Sequence, residues 1–173
     1  MSDVEPAVSG EDRAARAYRQ WRRERPDLDP LPMALFGRLN EASERVRKER
    51  MRPLFDEHGL QGGEFDVLAT LRRAGAPHAL NPTALYEATM VTSGAMTARL
   101  DRLEAAGLVA RGPDPRDRRG TIVSLTPKGL ALIDRIIGLH VENQARVLRA
   151  LSDAERRDLA RLLGKVLDGL DQS

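Results

Sequence analysis

The chain has 173 residues, a formal net charge of +2, 41% hydrophobic residues and no cysteine. Its length fits one domain, or one domain with an extension, and its apolar content excludes a disordered chain. The absence of cysteine excludes zinc fingers, disulfide bonds and thiol-based redox sensing.

The chain carries no sign of a membrane segment, a secretory signal or a metal site. No apolar run approaches the about 18 residues of a membrane span, and the acidic amino terminus lacks an apolar signal segment. The histidines His58, His78 and His140 are too scattered for metal-ligand spacing, so we interpret them as surface or partly buried residues. We expect a cytoplasmic protein without a cofactor.

The first predicted elements are two helices. Residues 1–12 are polar and expected to be flexible. Apolar residues then recur at helical spacing until Pro26 ends the first helix: Ala14, Ala17, Tyr18 and Trp21. A second helix is predicted from about Leu31 to His58, with Asp29 capping it and a kink near Glu49 caused by Pro53.

The next segment has the pattern of a helix-turn-helix. A helix is predicted from Glu64 to about Ala74, followed by a linker over residues 77–80 that has room for a short strand. Asn81-Pro82 begins a short helix, and Met90-Val91 forms a tight connection to the next one. Thr92 or Ser93 caps that helix, which runs to Ala106 and carries an apolar stripe: Met96, Leu100 and Leu103.

A β-hairpin is predicted directly after this helix. Val109 leads into it, Thr121–Leu125 leads out, and the tip from Asp114 to Gly120 carries three arginines: Arg116, Arg118 and Arg119. Between residues 107 and 128 there are five basic and two acidic side chains. A helix followed by an arginine-tipped hairpin indicates a winged helix that binds duplex DNA.

The remaining sequence predicts two helices and a division of the chain. Thr126-Pro127 begins a helix to about Ala150, and the capping box Ser152–Glu155 begins the last one, to about Leu170. The fold class is mainly α with a small β-hairpin. We divide the chain into a flexible segment (1–12), amino-terminal helices for dimerisation and a ligand pocket (13–60), a winged helix-turn-helix (61–128) and carboxy-terminal dimerisation helices (129–173).

The flanking helices carry more apolar residues than one small domain can cover. A second copy of the chain is the expected cover, which predicts a homodimer with two DNA-reading heads. The residues in question lie on both sides of the central module: Leu35, Phe36, Leu39, Leu130, Ile133, Ile137, Val141, Val147 and Leu148.

Several motifs resemble the MarR family of bacterial transcription regulators over about residues 31–170. They include the helix Ser93–Leu103, the Asp117-Arg-Arg119 wing and the segment Val123-Ser-Leu-Thr-Pro-Lys-Gly129. The resemblance implies an obligate dimer that binds pseudo-palindromic operator DNA. It also implies that a small molecule can release the DNA.

The helix from Ser93 is expected to lie in the major groove. A helical wheel turns several of its residues away from the apolar stripe, namely Gly94, Thr97, Ala98, Asp101 and Arg102. The two small residues permit close approach, Thr97 can reach a base edge, and Arg102 is expected to bind a phosphate. Asn81 and Thr83 are further phosphate-contact candidates.

The family pattern implies roles for the wing residues. It places Arg119 in the minor groove, with Asp117 orienting it by a salt bridge, and a narrow A·T-rich minor groove attracts a guanidinium. Arg116 and Arg118 are expected to add phosphate contacts.

An effector site is predicted around Arg99, which the wheel places beside the apolar stripe. A half-buried arginine needs an anionic partner, which is either a structural carboxylate or a bound ligand. The resemblance extends to a urate-responsive subgroup with an extra amino-terminal helix, whose ligand residues match Trp21, Asp66 and Arg99. Periodicity alone places Asp66 in solvent. The fourth subgroup position is Asn40 rather than histidine, so another carboxylate such as trans-aconitate fits equally well.

Other classes of function remain as alternatives. An enzyme is disfavoured, because the sequence has no cysteine nucleophile, glycine-rich phosphate loop or nucleophile elbow. A winged helix that binds proteins or chromosomes without sequence preference is one alternative. A constitutive regulator with no small-molecule effector is the other.

Overall fold

The computed structural model describes residues 11–89, 93–115 and 117–171, and it gives the backbone alone for 93–95 and 117–119. The expected flexible segment 1–12 therefore lies almost entirely outside the described residues, as do Met90, Val91, Thr92 and Arg116. The chain forms two compact units, one up to Glu49 and the other from Arg50 onward.

The first unit is a pair of helices, α1 (Arg13–Glu24) and α2 (Leu31–Val46). Asp12 caps α1, since its carboxylate accepts a hydrogen bond from the backbone N–H of Ala15 at 2.6 Å. The helices pack closely, because the residues at their contact are small: Ala14, Ala15, Ala34 and Gly37. A salt bridge of 2.9 Å between Arg38 Nε and Asp12 adds to the contact and lowers the pKa of Asp12.

The predicted helix from Leu31 to His58 is interrupted as expected. A short π-helix, Arg47–Met51, separates α2 from α3 (Arg52–Glu57). Pro53 has no N–H to donate to the carbonyl of Glu49, so the backbone widens before it. Helix α3 ends at Glu57, and Gly59, two residues further on, has a φ of 68°, the left-handed conformation typical just past a helix terminus.

The second unit continues with α4 (Gly62–Arg73), β1 (Ala79–Leu80), α5 (Pro82–Ala88) and α6 (Ser93–Ala105). The hairpin follows as β2 (Val109–Asp114) and β3 (Asp117–Leu125), and then come α7 (Pro127–Val147) and α8 (Asp153–Asp171). The strands form an antiparallel sheet in the order β1-β3-β2, with Ala79 opposite Ser124 and Val109 opposite Leu125. Fold class and element order are as predicted.

Side chains from helices α4 to α7 and from the hairpin form the core of this unit. Those most deeply buried are Leu68, Leu71, Leu85, Leu103, Val123, Ile133 and Ile136. The apolar pattern of the sequence assigned Ile133 to a surface that a second copy would cover. That assignment is wrong, because Ile133 is fully buried within one chain.

The capping signals read from the sequence are confirmed at three helix starts. Asn81 accepts a hydrogen bond from the N–H of Ala84 at 2.8 Å, and Thr126 accepts one from the N–H of Gly129 at 3.0 Å. At α8, the carboxylate of Glu155 accepts the N–H of Ser152 at 2.7 Å. Such caps satisfy N–H groups that have no partner within the helix.

Gly129 allows the first turn of α7 to approach the chain after α6. A Cβ at this position would overlap the backbone carbonyl of Leu108, which already accepts the N–H of Thr126 at 3.1 Å. We expect Gly129→Ala to lower the free energy of unfolding by about 1–3 kcal/mol, although alanine favours helices. A Cβ at Gly138 in the same helix would lie in open space, so Gly138→Ala should raise the free energy of unfolding by up to about 1 kcal/mol. Urea denaturation midpoints measure both effects, and equal shifts in the two variants would contradict the packing argument.

The last two helices leave large apolar side chains exposed. On α7 and beyond, Ile137, Val141, Val147 and Leu148 are exposed as predicted. No residue of α8 is buried, and its exposed apolar residues recur at helical spacing: Leu159, Leu162, Leu163, Val166, Leu167 and Leu170.

Candidate nucleic-acid interface and effector site

The apolar stripe of α6 faces the core, as its periodicity predicts. Met96, Leu100 and Leu103 are 4%, 4% and 1% exposed. Thr97 and Ala98 lie on the opposite, exposed side. For Ser93 and Gly94 the structure gives the backbone of the helix alone. The helix therefore presents small and polar residues outward, which is the surface a major-groove contact needs.

The start of α5 lies beside strand β3. Asn81 and Thr83 are exposed, and they line a cavity of about 540 Å³ together with Gly120 and Thr121 of the wing strand. The side-chain oxygen of Asn81 is occupied by its capping bond, so a phosphate contact would use its amide nitrogen. Two acidic residues, Glu87 and Asp114, also line this cavity.

The charged residues on the outward side of α6 have intramolecular partners. Asp101 accepts a hydrogen bond from Arg111 of β2 at 2.7 Å, and Glu104 pairs with the same guanidinium at 2.9 Å. Arg102 Nε donates to the buried Glu64 of α4 at 2.6 Å. Sequence periodicity gave the direction of these side chains but not their partners.

The wing is a two-stranded antiparallel ribbon with an irregularity between Pro113 and Asp114. Such a bulge changes the local twist of a strand. Residues 117–119 belong to strand β3, but their side chains lie outside the described residues. The assignments for Arg116, Asp117, Arg118 and Arg119 stay predictions.

Arg99 is half-buried on α6, as the sequence predicts. Its Nη1 atom is buried and has no hydrogen-bond partner within the described residues. The guanidinium lies against α4, where a Cβ at Gly63 would overlap it. An unpaired buried N–H donor is costly, so this atom is suited to receive an anion.

Asp66, on α4, lies near Arg99 of α6. Loss of hydration raises the pKa of its carboxyl group, and the charge of Arg99 opposes that rise. Asp66 is exposed by area, but it lines a recess of about 330 Å³ together with Thr70, Arg73 and Thr89, which explains the lost hydration. The site thus combines a cation with a carboxyl group that keeps its proton to higher pH than usual.

His140 is a further residue of this cluster, which the sequence analysis took for a scattered histidine. Its ring lies tilted against that of Phe65, with the two ring centroids 4.6 Å apart, and Phe65 in turn stacks on Phe55. Burial lowers its pKa, while the charge of Asp66 opposes the change. Helical spacing did carry a signal, because His140 follows the buried residues Ile133 and Ile136 on one face of α7.

The shift at His140 makes stability depend on pH. The folded chain binds the imidazole proton less tightly than the unfolded chain, so acidification below about pH 6.5 favours unfolding. Asp66 has the opposite sign, since its raised pKa contributes stability that is lost as the pH rises. We expect acidification from about pH 7.5 to about pH 5.5 to lower the melting temperature less in His140→Gln, which retains Asp66, than in the wild type. An equal or larger drop in the variant would contradict this assignment.

Trp21 and Asn40 lie in the first unit. Trp21 lines a cavity of about 220 Å³ between α1 and α2, together with Tyr18 and Met33. Asn40 is exposed on α2. Their participation in a common pocket with Asp66 and Arg99 stays a prediction.

The described residues offer neither a membrane span nor a metal site. No helix among them is long and apolar enough to cross a bilayer. Within the same residues, no group of three or more histidine and acidic side chains could hold a metal ion.

The fold and the surfaces of α5, α6 and the hairpin define a winged helix-turn-helix, the architecture of many DNA-binding regulators. A family model for the MarR family matches residues 58–120. The transcriptional regulator PecS of Dickeya dadantii is 44% identical over 147 residues, covering 85% of this chain and 88% of PecS. The chain belongs to the MarR family of transcriptional regulators.

Solved structures agree with this assignment. A variant of MarR from Escherichia coli in complex with operator DNA has a TM-score of 0.67 and 28% identity, covering 85% of this chain and 97% of that one. BpsR of Bordetella bronchiseptica, whose DNA binding is regulated by 6-hydroxynicotinic acid, has a TM-score of 0.66 and 29% identity, covering 75% and 90%. These relatives are regulators of transcription rather than enzymes.

Proposed function

We propose that the chain is a ligand-responsive transcriptional repressor that binds pseudo-palindromic operator DNA as a homodimer in the cytoplasm. Helix α6 lies in the major groove, the start of α5 contacts phosphates, and the arginines of the wing contact the minor groove and its edges. The similarity to an operator-bound MarR structure and the small, polar outward side of α6 support this reading.

The uncovered apolar surface of α7 and α8 supports the homodimer. Large exposed apolar patches mark interaction surfaces, and a twofold pair would bury them while presenting two copies of α6. Two reading heads on one face would bind half-sites about 34–36 Å apart, which is one turn of DNA.

The effector is a small anionic metabolite, such as urate, another purine or a tricarboxylate. The observation that carries this proposal is the buried Nη1 of Arg99, which has no partner in the described part of the chain. The regulation of BpsR by 6-hydroxynicotinic acid is consistent with an acidic effector for this chain. Asp66 lies near Arg99, and the loss of hydration that raises the pKa of its carboxyl group is consistent with a binding recess at this position.

Release of DNA follows from the position of Arg99. Because Arg99 belongs to α6, an anion that binds its guanidinium acts on the helix that reads the DNA. A ligand that binds the DNA-free arrangement of α6 more tightly shifts the population away from the operator complex. The family resemblance also assigns Trp21 and Asn40 to ligand binding in this proposal.

Thermal-shift screening of purines and tricarboxylates tests the effector site. A ligand well above its dissociation constant should raise the melting temperature of the wild type by a few degrees and leave Arg99→Ala unchanged. Arg72→Ala, which removes an exposed arginine of α4, is the matched control and should retain the shift. The proposal fails if no compound stabilises the wild type more than Arg99→Ala.

A further inference from the structure

The carboxylate of Glu64 is buried in the first turn of α4, with the residue 5% exposed. One oxygen, Oε2, accepts the backbone N–H of Gln61 at 2.8 Å and so caps the helix. The other, Oε1, accepts a hydrogen bond from Arg102 Nε at 2.6 Å. Only Glu64 is buried in this ion pair, and removal of the half-exposed Arg102 would leave its carboxylate without a charged partner, so the contact stabilises the packing of α6 on α4.

Arg102 also contacts the residue that precedes α4. Its Nη2 donates to the side-chain oxygen of Gln61 at 3.3 Å, so one guanidinium holds two acceptors on the same turn. Arg99, three residues earlier on α6, lies against Gly63 between them. Two successive arginines of α6 therefore contact residues 61–64, which fixes the rotation and height of α6 relative to α4.

We propose that Arg102 is a positioning residue, which holds the recognition helix on α4 through Glu64 and does not bind a DNA phosphate. This inference rests on the proposed DNA-binding function and reassigns a residue that the sequence analysis gave to phosphate contact. The charge of a guanidinium paired at 2.6 Å with a buried carboxylate is already neutralised. Such a group neutralises little phosphate charge and therefore releases few of the counterions that DNA holds. If the guanidinium of Arg102 moved to a phosphate, the buried carboxylate of Glu64 would lose its charged partner.

Salt dependence of operator binding separates the two roles. Deleting a phosphate contact lowers the slope of log affinity against log salt by about 0.9 for each copy of the chain, and so by about 1.8 for the proposed homodimer, whereas deleting a positioning contact leaves the slope unchanged. We expect Arg102→Gln and the isosteric Glu64→Gln each to weaken operator binding about tenfold at constant slope. The double variant should lose no more operator affinity than the single variant that binds less tightly, because both substitutions remove the same interaction. Arg118→Gln, at a proposed phosphate contact, is the matched control and should lower the slope.

Two results would overturn the proposal. One is a slope lowered by about 1.8 for the homodimer in Arg102→Gln with unchanged affinity in Glu64→Gln, since Arg102 would then bind phosphate in both copies. The other is full affinity in both variants. Hydrogen exchange in the DNA-free protein gives an independent reading, because both variants should speed exchange of the α6 amides relative to those of α7. If the wild type binds no operator, the proposed function fails, and equal exchange in wild type and variants then overturns the positioning role separately.

Discussion

Arg119→Ala should weaken operator binding by about 1–3 kcal/mol, or about 5- to 150-fold. The expected reason is the loss of a guanidinium from a narrow minor groove, where the negative potential of DNA is concentrated. Fluorescence-anisotropy titration of a labelled operator measures the change.

The control for this experiment removes the same charge elsewhere. Arg16 lies on the exposed side of α1, so Arg16→Ala should leave operator affinity within about twofold of the wild type. Replacing A·T pairs under the wing by G·C should weaken the wild type towards the level of Arg119→Ala and leave the variant almost unchanged. A wild-type protein indifferent to that replacement would place Arg119 outside the minor groove.

The double substitution Leu163→Asp with Leu167→Asp should convert the dimer to a monomer. The two leucines are exposed one turn apart on α8, and the proposed partner copy buries them. A monomer reads one half-site at a time, so operator affinity should fall by about 10²-fold or more. Sedimentation velocity gives the oligomeric state, and the same titration gives the affinity.

Arg161→Asp is the matched control for the dimer. It changes the net charge by the same two units as the leucine pair, but on the opposite face of α8, where Arg161 pairs with Asp158 at 3.2 Å. The control should remain dimeric. If the leucine variant also remains dimeric, α8 is not the interface.

Local sequence signals were sufficient for most of the fold. Capping residues and prolines marked the starts of α5, α7 and α8, and Pro53 marked the interruption before α3. The stripe Met96, Leu100 and Leu103 gave the buried face of α6. These features depend on residues within a few positions of one another, so periodicity and turn chemistry report them directly.

Such local signals could not identify which charged residues pair with one another. Arg102 and Glu64 are 38 positions apart, and Asp66 meets His140 only when α4 packs near α7. Helical spacing also placed Ile133 on an uncovered surface, because a pattern of apolar residues does not tell which part of a broad stripe the chain itself covers. Periodicity within one helix correctly gave the exposure of Thr97 and Ala98, but it did not give the contacts between helices, and the roles of the site residues stay predictions.

The charged contacts around α6 suggest how its two tasks can coexist. Arg102 and Arg111 link the helix to α4 and β2, whereas Nη1 of Arg99, one turn from Arg102, has no hydrogen-bond partner among the residues that the structure describes. In the proposed mechanism, the fixed contacts preserve the shape of the reading head and the free donor makes it respond to an anion.

Selection of binding sites from a pool of random duplexes tests the central claim that two copies of the chain read DNA together. Selection should enrich a pseudo-palindrome whose half-sites are centred about 10–10.5 base pairs apart, bound about 10³-fold more tightly than random duplex at physiological salt. No enrichment, or enrichment of a single asymmetric half-site, would contradict the account.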